Sequence, residues 1–438
     1  MTEKNKAPKL NQRRSGLLLH PTSLPGRFGI GDLGPEAYRF ADFLKESKQS
    51  WWQILPTGPV GYGNSPYQTM AVFAGNPLLI SPELLLRDGL LSPGDLKRFA
   101  NYSDSNRVDY QTAREIKRRI LDRVWDNWRG KKLTGLKTES ERFSHESRHW
   151  LEDFALFTAL KQTYRGKSWV EWDSELKKRR PAALASAARA LTDRIGFEQF
   201  QQFLYFRQWH ELKNYCFESK IGIIGDVPIY VSHDSVEVWK NPHLFWLNKN
   251  GRSRFIAGVP PDYFSPTGQL WGNPLYRWDV LEKEKFGWWI ERSKAALENF
   301  DAARLDHFIG FVRYWKIRAG AENAIKGEWV KVPGDSFFRQ VFKSLGNAAL
   351  IAEDLGIVTQ EVVDLRDKFG LPGLRVLQFA FDGNPANPHL PVNCPPNCVA
   401  YTGTHDNDTI RGWFDKLILE GQTRRRAEFE SLLCHLGT

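Results

Sequence analysis

Three segments in the last third of the chain each combine a short apolar run, typical of a β-strand, with a carboxylate at or just after its end. The runs cover residues 302–306, 349–353 and 398–401, and their carboxylates are Asp306, Glu353 and Asp406. In a parallel α/β barrel the carboxyl ends of the strands meet at one mouth. We therefore expect these three carboxylates to share a cleft.

The period of a strand predicts which side chains face that cleft. Residues two apart lie on the same face, so Arg304 and Asp306 point the same way. A guanidinium beside a carboxylate favours the ionised form. Glu353 and Asp354 are adjacent and face opposite sides, so one of them alone points into the mouth.

Carboxylates gathered in one cleft suit chemistry at a glycosidic bond, with one as nucleophile, one as acid/base and one holding the sugar. His405 precedes Asp406 and offers a ring N–H to a sugar hydroxyl or to developing charge. The alternative is that these residues are ordinary acidic strand ends tied to loop amides. One such motif alone favours that alternative; three in order favour the catalytic interpretation.

The remaining pattern predicts a TIM-type (β/α)8 barrel with helical insertions. Further strands are expected at 16–19, 51–56, 221–231 and 374–379, and no eighth strand is evident. The long interval between the second and third strands requires an inserted unit, because barrel connections are normally short. The expected division is a disordered tail at 1–12, barrel at 13–56, an inserted loop and helical subdomain at 57–219, and barrel at 220–438 with a loop insertion at 232–279.

Composition and charge indicate which kind of ligand the chain binds. The 438 residues are 41% hydrophobic and carry a formal net charge of +10. The excess positive charge comes from dispersed runs at 117–119, 177–180 and 424–426, each in a helical context, so solvated helix faces are favoured over nucleic-acid binding. Seventeen Trp and 28 Phe are many, which fits a site where flat rings stack on sugars.

The cysteines and termini give further expectations. The four Cys include one close pair, Cys394 and Cys398, which lacks a second pair of ligands, so neither a zinc site nor a disulfide framework is predicted. The first eleven residues are polar and basic without an apolar signal segment. No apolar run is long enough to span a membrane. A cytoplasmic protein is expected.

With these residues in view, the chain resembles the amylomaltases, the bacterial 4-α-glucanotransferases or disproportionating enzymes of glycoside hydrolase family 77. The similarity runs from about Arg14 to the last residues. Besides the three acidic motifs, it rests on residues 19–26 (LHPTSLPG), 51–59 (WWQILPTGP), 61–68 (GYGNSPYQ), 225–230 (GDVPIY), 258–265 (GVPPDYFS) and 268–274 (GQLWGNP).

The resemblance implies roles for individual residues. Asp306 matches the nucleophile, Glu353 the general acid/base, and Asp406 the third carboxylate, which holds sugar hydroxyls. Eight further residues match positions that support or line the glucan groove: Arg304, His307, His405, Asp226, Tyr230, Tyr67, Asp262 and Trp271. For Tyr67 a packing role, and for Asp262 a turn-capping role, remain alternatives. Trp271 is expected on an exposed loop.

The implied activity is transfer of α-1,4-glucan segments between maltooligosaccharides, with retention and with carboxyls about 5–5.5 Å apart. The protein is expected to be a monomer. It is expected to need no metal or organic cofactor and to bind neither nucleic acid nor a membrane. The alternatives are a retaining α-glucan hydrolase and an inactive glucan-binding protein. The family continues past the third acidic motif, so a C-terminal truncation, with a barrel left open between Leu17 and Val399, is also expected.

Overall fold

A computed structural model describes residues 9–99, 107–261 and 265–435. Eleven strands and fifteen α-helices lie within these ranges. The strands are β1 Gly16–Leu18, β2 Trp51–Gln53, β3 Gly222–Val227, β4 Phe255–Val259, β5 Gln269–Pro274, β6 Ala302–Leu305, β7 Arg313–Arg318, β8 Gly327–Lys331, β9 Leu350–Ala352, β10 Gly373–Val376 and β11 Cys398–Tyr401.

The helices surround these strands or lie in the insertions. They are α1 Pro35–Glu46, α2 Pro82–Arg87, α3 Pro93–Phe99, α4 Tyr110–Gly130, α5 Thr134–Thr163, α6 Ser174–Lys177, α7 Pro181–Ala190, α8 Thr192–Glu218, α9 Val236–Lys240, α10 Trp278–Lys283, α11 Gly287–Asn299, α12 Gly334–Leu345, α13 Gln360–Lys368, α14 Ile410–Leu419 and α15 Thr423–His435.

Seven parallel strands form the wall of a TIM-type α/β barrel. Five pair in the order β1-β2-β3-β6-β9, and β10 pairs with β11. The amide of Ala352 donates to the carbonyl of Pro372 at 2.8 Å, which connects β9 to the chain entering β10. Within the described residues, β1 pairs with β2 alone and β11 with β10 alone, so the wall is open between these two strands.

The strand register brings the polar strand ends together. Asp226 on β3 lies opposite Arg304 on β6, and Arg304 lies opposite Ile351 on β9. The hydroxyl of Tyr401, at the end of β11, donates to Gln53 at the end of β2 at 2.7 Å. The four polar residues Asp226, Arg304, Gln53 and Tyr401 are at, or one residue before, the carboxyl ends of their strands, so the mouth of the barrel collects them.

A second sheet was not predicted. Strands β5, β4, β7 and β8 pair antiparallel in that order. Two of them lie in the expected loop insertion at 232–279, and β7 and β8 lie between the predicted strands at 302–306 and 349–353. Trp271, expected on an exposed loop, lies on β5. This sheet forms one side of the barrel mouth.

The rest of the chain follows the predicted order. Helices α2 to α8 all lie between β2 and β3, which supports an inserted subdomain there; the domain boundaries remain a proposal. Residues 9–12 of the predicted disordered tail form a turn, and Leu10 packs against the cluster that contains Trp51. No helix in the described part of the chain is both long and apolar enough to cross a bilayer.

Candidate active site

Arg304 lies next to three carboxylates at the barrel mouth. Its Nη1 lies 2.7 Å from Asp226 Oδ2 and 3.0 Å from Asp306 Oδ1, and its Nη2 lies 4.0 Å from Glu353 Oε2. The side chain of Arg304 is 4% exposed and that of Asp226 fully buried, so this ion pair is shielded from solvent. Asp306, two residues after Arg304, reaches the cleft with its side chain 26% exposed. The predicted shared face of Arg304 and Asp306 is confirmed.

Glu353 lies just beyond β9 and is held by main-chain donors. The amide of His307 donates to Glu353 Oε2 at 2.7 Å, and the amide of Leu355 donates to Oε1 at 3.0 Å. His307 adopts a left-handed conformation with φ of 52°, a strain on the order of 1–3 kcal/mol. That turn directs its amide toward Glu353. The ring of His307 is half-buried in the wall of the cleft, and this desolvation lowers its pKa to about 4.

The electrostatics of the site favour a protonated Glu353. Burial, with a smaller contribution from the negative charge of Asp306, raises the pKa of Glu353 to about 8, against the opposing effect of Arg304. Burial likewise raises the pKa of Asp226 to about 6, although Arg304 opposes that shift. A buried carboxyl that keeps its proton near neutral pH is suited to general acid chemistry.

Asp354 faces away from the cleft, as the alternation of strand faces predicts. Its Oδ2 lies 2.5 Å from Arg366 Nη1, and its Oδ1 accepts the amide of Leu374 at 2.6 Å. The side chain is 1% exposed. Asp354 therefore ties β9 to α13 and β10, and Glu353 is the member of this pair available to a ligand.

Tyr67 connects two sides of the mouth. Its hydroxyl donates to Asp226 Oδ2 at 2.7 Å and lies 2.9 Å from His405 Nε2. Its ring stacks on that of His405, with centroids 5.2 Å apart. The His405 ring nitrogen lies 3.3 Å from Asp406, whose carboxylate is 75% exposed at the edge of the cleft. Asp406 is thus near the site but less enclosed than Asp306 and Glu353.

Aromatic side chains complete the wall next to the nucleophile candidate. The Trp271 ring meets the His307 ring edge-on at 4.7 Å and lies 6.2 Å from the ring of Tyr230. Tyr230 is largely buried and stacks on Tyr276. Asp262, the remaining predicted groove residue, lies outside the described residues.

These residues line a cleft of about 870 Å³. Nine of the predicted site residues contribute to it: Tyr67, Tyr230, Trp271, Arg304, Asp306, His307, Glu353, His405 and Asp406. Asp226 lies behind Arg304. Within the described ranges no cluster of three or more His, Cys, Asp and Glu side chains is arranged to hold a metal ion.

Three further residues that line this cleft were not predicted from the sequence. Trp329 on β8, Ile357 on the loop after Glu353, and Phe379 after β10 also face the cleft. The signal for Trp329 was present, because 313–318 and 327–331 are rich in aromatic and β-branched residues, as strands are. The pairing of those strands depends on residues far apart in sequence and is not visible in either segment alone.

Comparison with known proteins agrees with this geometry. The family model described as 4-alpha-glucanotransferase (Glyco_hydro_77) matches residues 19–437. A 4-alpha-glucanotransferase of Synechocystis is 48% identical over 98% of this chain and 84% of its own length. One from Thermus thermophilus is 49% identical over 92% of this chain and 80% of its own length.

Solved structures show the same relationship. The amylomaltase from Streptococcus agalactiae in complex with acarbose superposes with a TM-score of 0.90 at 40% identity, covering 94% of this chain and 83% of that one. An amylomaltase from Corynebacterium glutamicum shares the fold, with a TM-score of 0.76 at 18% identity over 93% of this chain and 56% of that one. The chain belongs to the 4-alpha-glucanotransferase family, the amylomaltases, which transfer segments of α-1,4-glucan.

Proposed function

We propose that this 4-alpha-glucanotransferase acts by retaining double displacement, with Asp306 as nucleophile and Glu353 as general acid and base. The observation that carries the assignment is the pairing of the two carboxyls around Arg304. Asp306 lies 3.0 Å from the guanidinium and reaches the cleft, whereas Glu353 is buried with a pKa raised to about 8. This mechanism requires one carboxyl that attacks as a carboxylate and a second that keeps its proton, so the surroundings of the two must differ.

In the first step, Asp306 attacks the anomeric carbon of an α-1,4-glucan. The bond from that carbon to the glycosidic oxygen breaks, and Glu353 gives its proton to the departing oxygen. A β-linked glucosyl ester on Asp306 results. The amides of His307 and Leu355 remain in contact with Glu353, and they stabilise the carboxylate that this proton transfer leaves.

In the second step, Glu353 accepts the proton of an acceptor 4-hydroxyl. The acceptor oxygen attacks the anomeric carbon, and the ester bond to Asp306 breaks. Two inversions give a new α-1,4 bond. The free carboxylate of Asp306 is regenerated beside Arg304, which is always charged.

The other predicted residues are assigned to substrate binding. Asp406 and His405 offer an acceptor and a donor to sugar hydroxyls at the cleft edge, and Trp271 and Tyr230 provide apolar ring surface. Asp226 and Tyr67 act chiefly by positioning Arg304 and His405, since the Asp226 side chain is fully buried. Asp262 is assigned to the groove on the resemblance alone.

The partner and location are also proposals. The substrates are maltooligosaccharides and longer α-1,4-glucans, and the protein acts as a monomer, without nucleic acid, membrane or cofactor. The four cysteines are free thiols, which fits the reducing cytoplasm.

Incubation of the protein with maltotriose tests the proposed activity. Transfer produces a ladder of longer and shorter glucans, and the Asp306→Asn variant produces none. Glucose and maltose alone would identify the retaining hydrolase instead. Binding of maltotriose without any product would identify a glucan-binding protein.

A further inference from the structure

Three large apolar side chains in the cleft are exposed. Leu270 is 38% exposed, Trp329 37% and Ile357 52%, and all three line the same cleft as Asp306. Scattered apolar residues on a surface need no explanation, but apolar side chains gathered in a cleft mark a surface that a ligand covers. The mechanism derived above uses none of them.

The antiparallel sheet sets the position of Trp329. Leu270, Gly258, Trp315 and Trp329 lie directly opposite one another across β5, β4, β7 and β8. Residues in such a row share one face of the sheet. Gly258 has no side chain, and the Trp315 ring covers Gly327, where a Cβ would lie 2.5 Å from it. Trp329 is therefore the ring in this row that reaches the cleft.

Two neighbours hold the ring of Trp329. The guanidinium of Arg313 lies 4.3 Å from its centroid, a cation–π distance. The Trp315 ring meets it edge-on at 5.3 Å. A ring that is fixed and still over a third exposed is ready to stack on a flat apolar surface without losing side-chain freedom on binding.

The loop that carries Glu353 lies next to β8. Lys331, two residues after Trp329, lies 3.0 Å from Glu361 in the first turn of α13, the helix that follows this loop. Ile357 belongs to the same loop. The acid protonates the oxygen that leaves with one sugar and later activates the oxygen of the incoming one. The acceptor glucan therefore occupies the side of the cleft nearest Glu353.

We propose that Trp329, with Ile357 beside the Glu353 loop, is the acceptor-binding platform that makes the glucosyl-enzyme react with sugar in preference to water. The proposal rests on the retaining mechanism above. Its chemistry is stacking of the indole on the C–H face of an acceptor glucosyl unit. A bound acceptor has a high effective concentration at the anomeric carbon and displaces water from it.

An activated donor separates the two steps. With α-maltosyl fluoride as donor and glucose as the added acceptor, fluoride release measures formation of the glycosyl-enzyme. Free maltose then measures its reaction with water, and maltotriose measures transfer to glucose. We expect Trp329→Ala and Trp329→Leu to release fluoride at the wild-type rate at saturating acceptor. Their transfer-to-hydrolysis ratio should fall by roughly tenfold, from the loss of aromatic stacking.

Two controls define the outcome. Trp329→Phe keeps a flat ring and should retain most of the ratio, and Phe43→Ala, which removes an exposed ring on α1 away from the cleft, should not change it. An unchanged ratio in both Trp329→Ala and Trp329→Leu, with normal unfolding curves, contradicts the proposal. A fall in fluoride release with an unchanged ratio also contradicts it. Absence of transfer in the wild-type protein would instead contradict the proposed function.

Discussion

The guanidinium of Arg304 lies 3.0 Å from the carboxylate of Asp306, and the same nitrogen lies 2.7 Å from Asp226. Arg304 and Asp306 stand two residues apart at the end of β6 and share a face. Asp226 thereby fixes the cation, and the cation fixes the orientation of Asp306. This arrangement supplies a positioned carboxylate beside a fixed cation.

Replacement of Asp306 by Asn should abolish glucan transfer. The amide cannot form the glucosyl ester, so we expect the turnover number to fall by several orders of magnitude, as for other enzymes that lose a nucleophile. Binding of maltoheptaose, followed by tryptophan fluorescence, should survive. Asp126→Asn on α4 is the control. A tenth of wild-type activity in a pure Asp306→Asn preparation would reject the nucleophile assignment.

Removal of the Tyr67 hydroxyl should weaken catalysis more than binding. This hydroxyl bonds to Asp226 at 2.7 Å, and a hydrogen bond to a charged group contributes roughly 1.5–3 kcal/mol. We therefore expect Tyr67→Phe to lower kcat by about ten- to a hundredfold. Tyr164→Phe removes a similar bond to Asp173 outside the cleft and should leave kcat unchanged. Equal effects of both variants would refute the positioning role of Tyr67.

The raised pKa of Glu353 predicts how stability depends on pH. The folded state, with a pKa of about 8, binds this proton more tightly than the unfolded chain, with a pKa near the ordinary 4.5. Ionisation of Glu353 therefore lowers the free energy of unfolding. This destabilising contribution is absent below about pH 4.5 and grows as the pH rises to about 8. Glu353→Gln removes it.

Unfolding curves of Glu353→Gln and wild type should accordingly diverge between pH 5 and pH 8, with the variant increasingly the more stable. A constant difference over this range would show that the pKa is not raised. Transfer from maltotriose should decline as Glu353 loses its proton near pH 8. Formation of the intermediate from a glycosyl fluoride, whose leaving group needs little protonation, should not decline there.

Replacement of Asp354 by Asn should lower stability and leave turnover nearly unchanged, the opposite of what we expect for Glu353→Gln. Asp354 is buried against Arg366, and removal of one partner of a buried ion pair costs roughly 3–5 kcal/mol. We expect a large fall in the urea midpoint with near-normal turnover by the protein that remains folded at low temperature. Loss of turnover without loss of stability would mean that Asp354, rather than Glu353, serves the chemistry.

The contrast between these neighbours shows what the sequence could predict. Strand alternation indicated that Glu353 and Asp354 face opposite ways, but not which one faces the cleft. That is decided by Arg366, on a helix, and by the amide of Leu374, on the next strand. Neither contact is encoded near residue 353.

Other features depended on the same long-range contacts. The seven parallel strands were predictable because each is a continuous apolar run. The antiparallel sheet was not, because its strands lie in two separate insertions and one of its faces lines the cleft, so Trp329 and Leu270 are exposed rather than buried. His307 was expected to support the glucan groove, and its main-chain amide also contacts Glu353, a contact that no pattern in the sequence indicated.

The most direct test of the account is the site of the covalent intermediate. Glu353→Gln, incubated with a glucosyl fluoride, should form the glucosyl-enzyme and fail to release it, because the base for the second step is missing. Peptide mapping by mass spectrometry should then place one sugar on Asp306. A sugar on Asp226, Asp354 or Asp406, or no adduct while the fluoride is consumed, would contradict the assignment of nucleophile and acid/base.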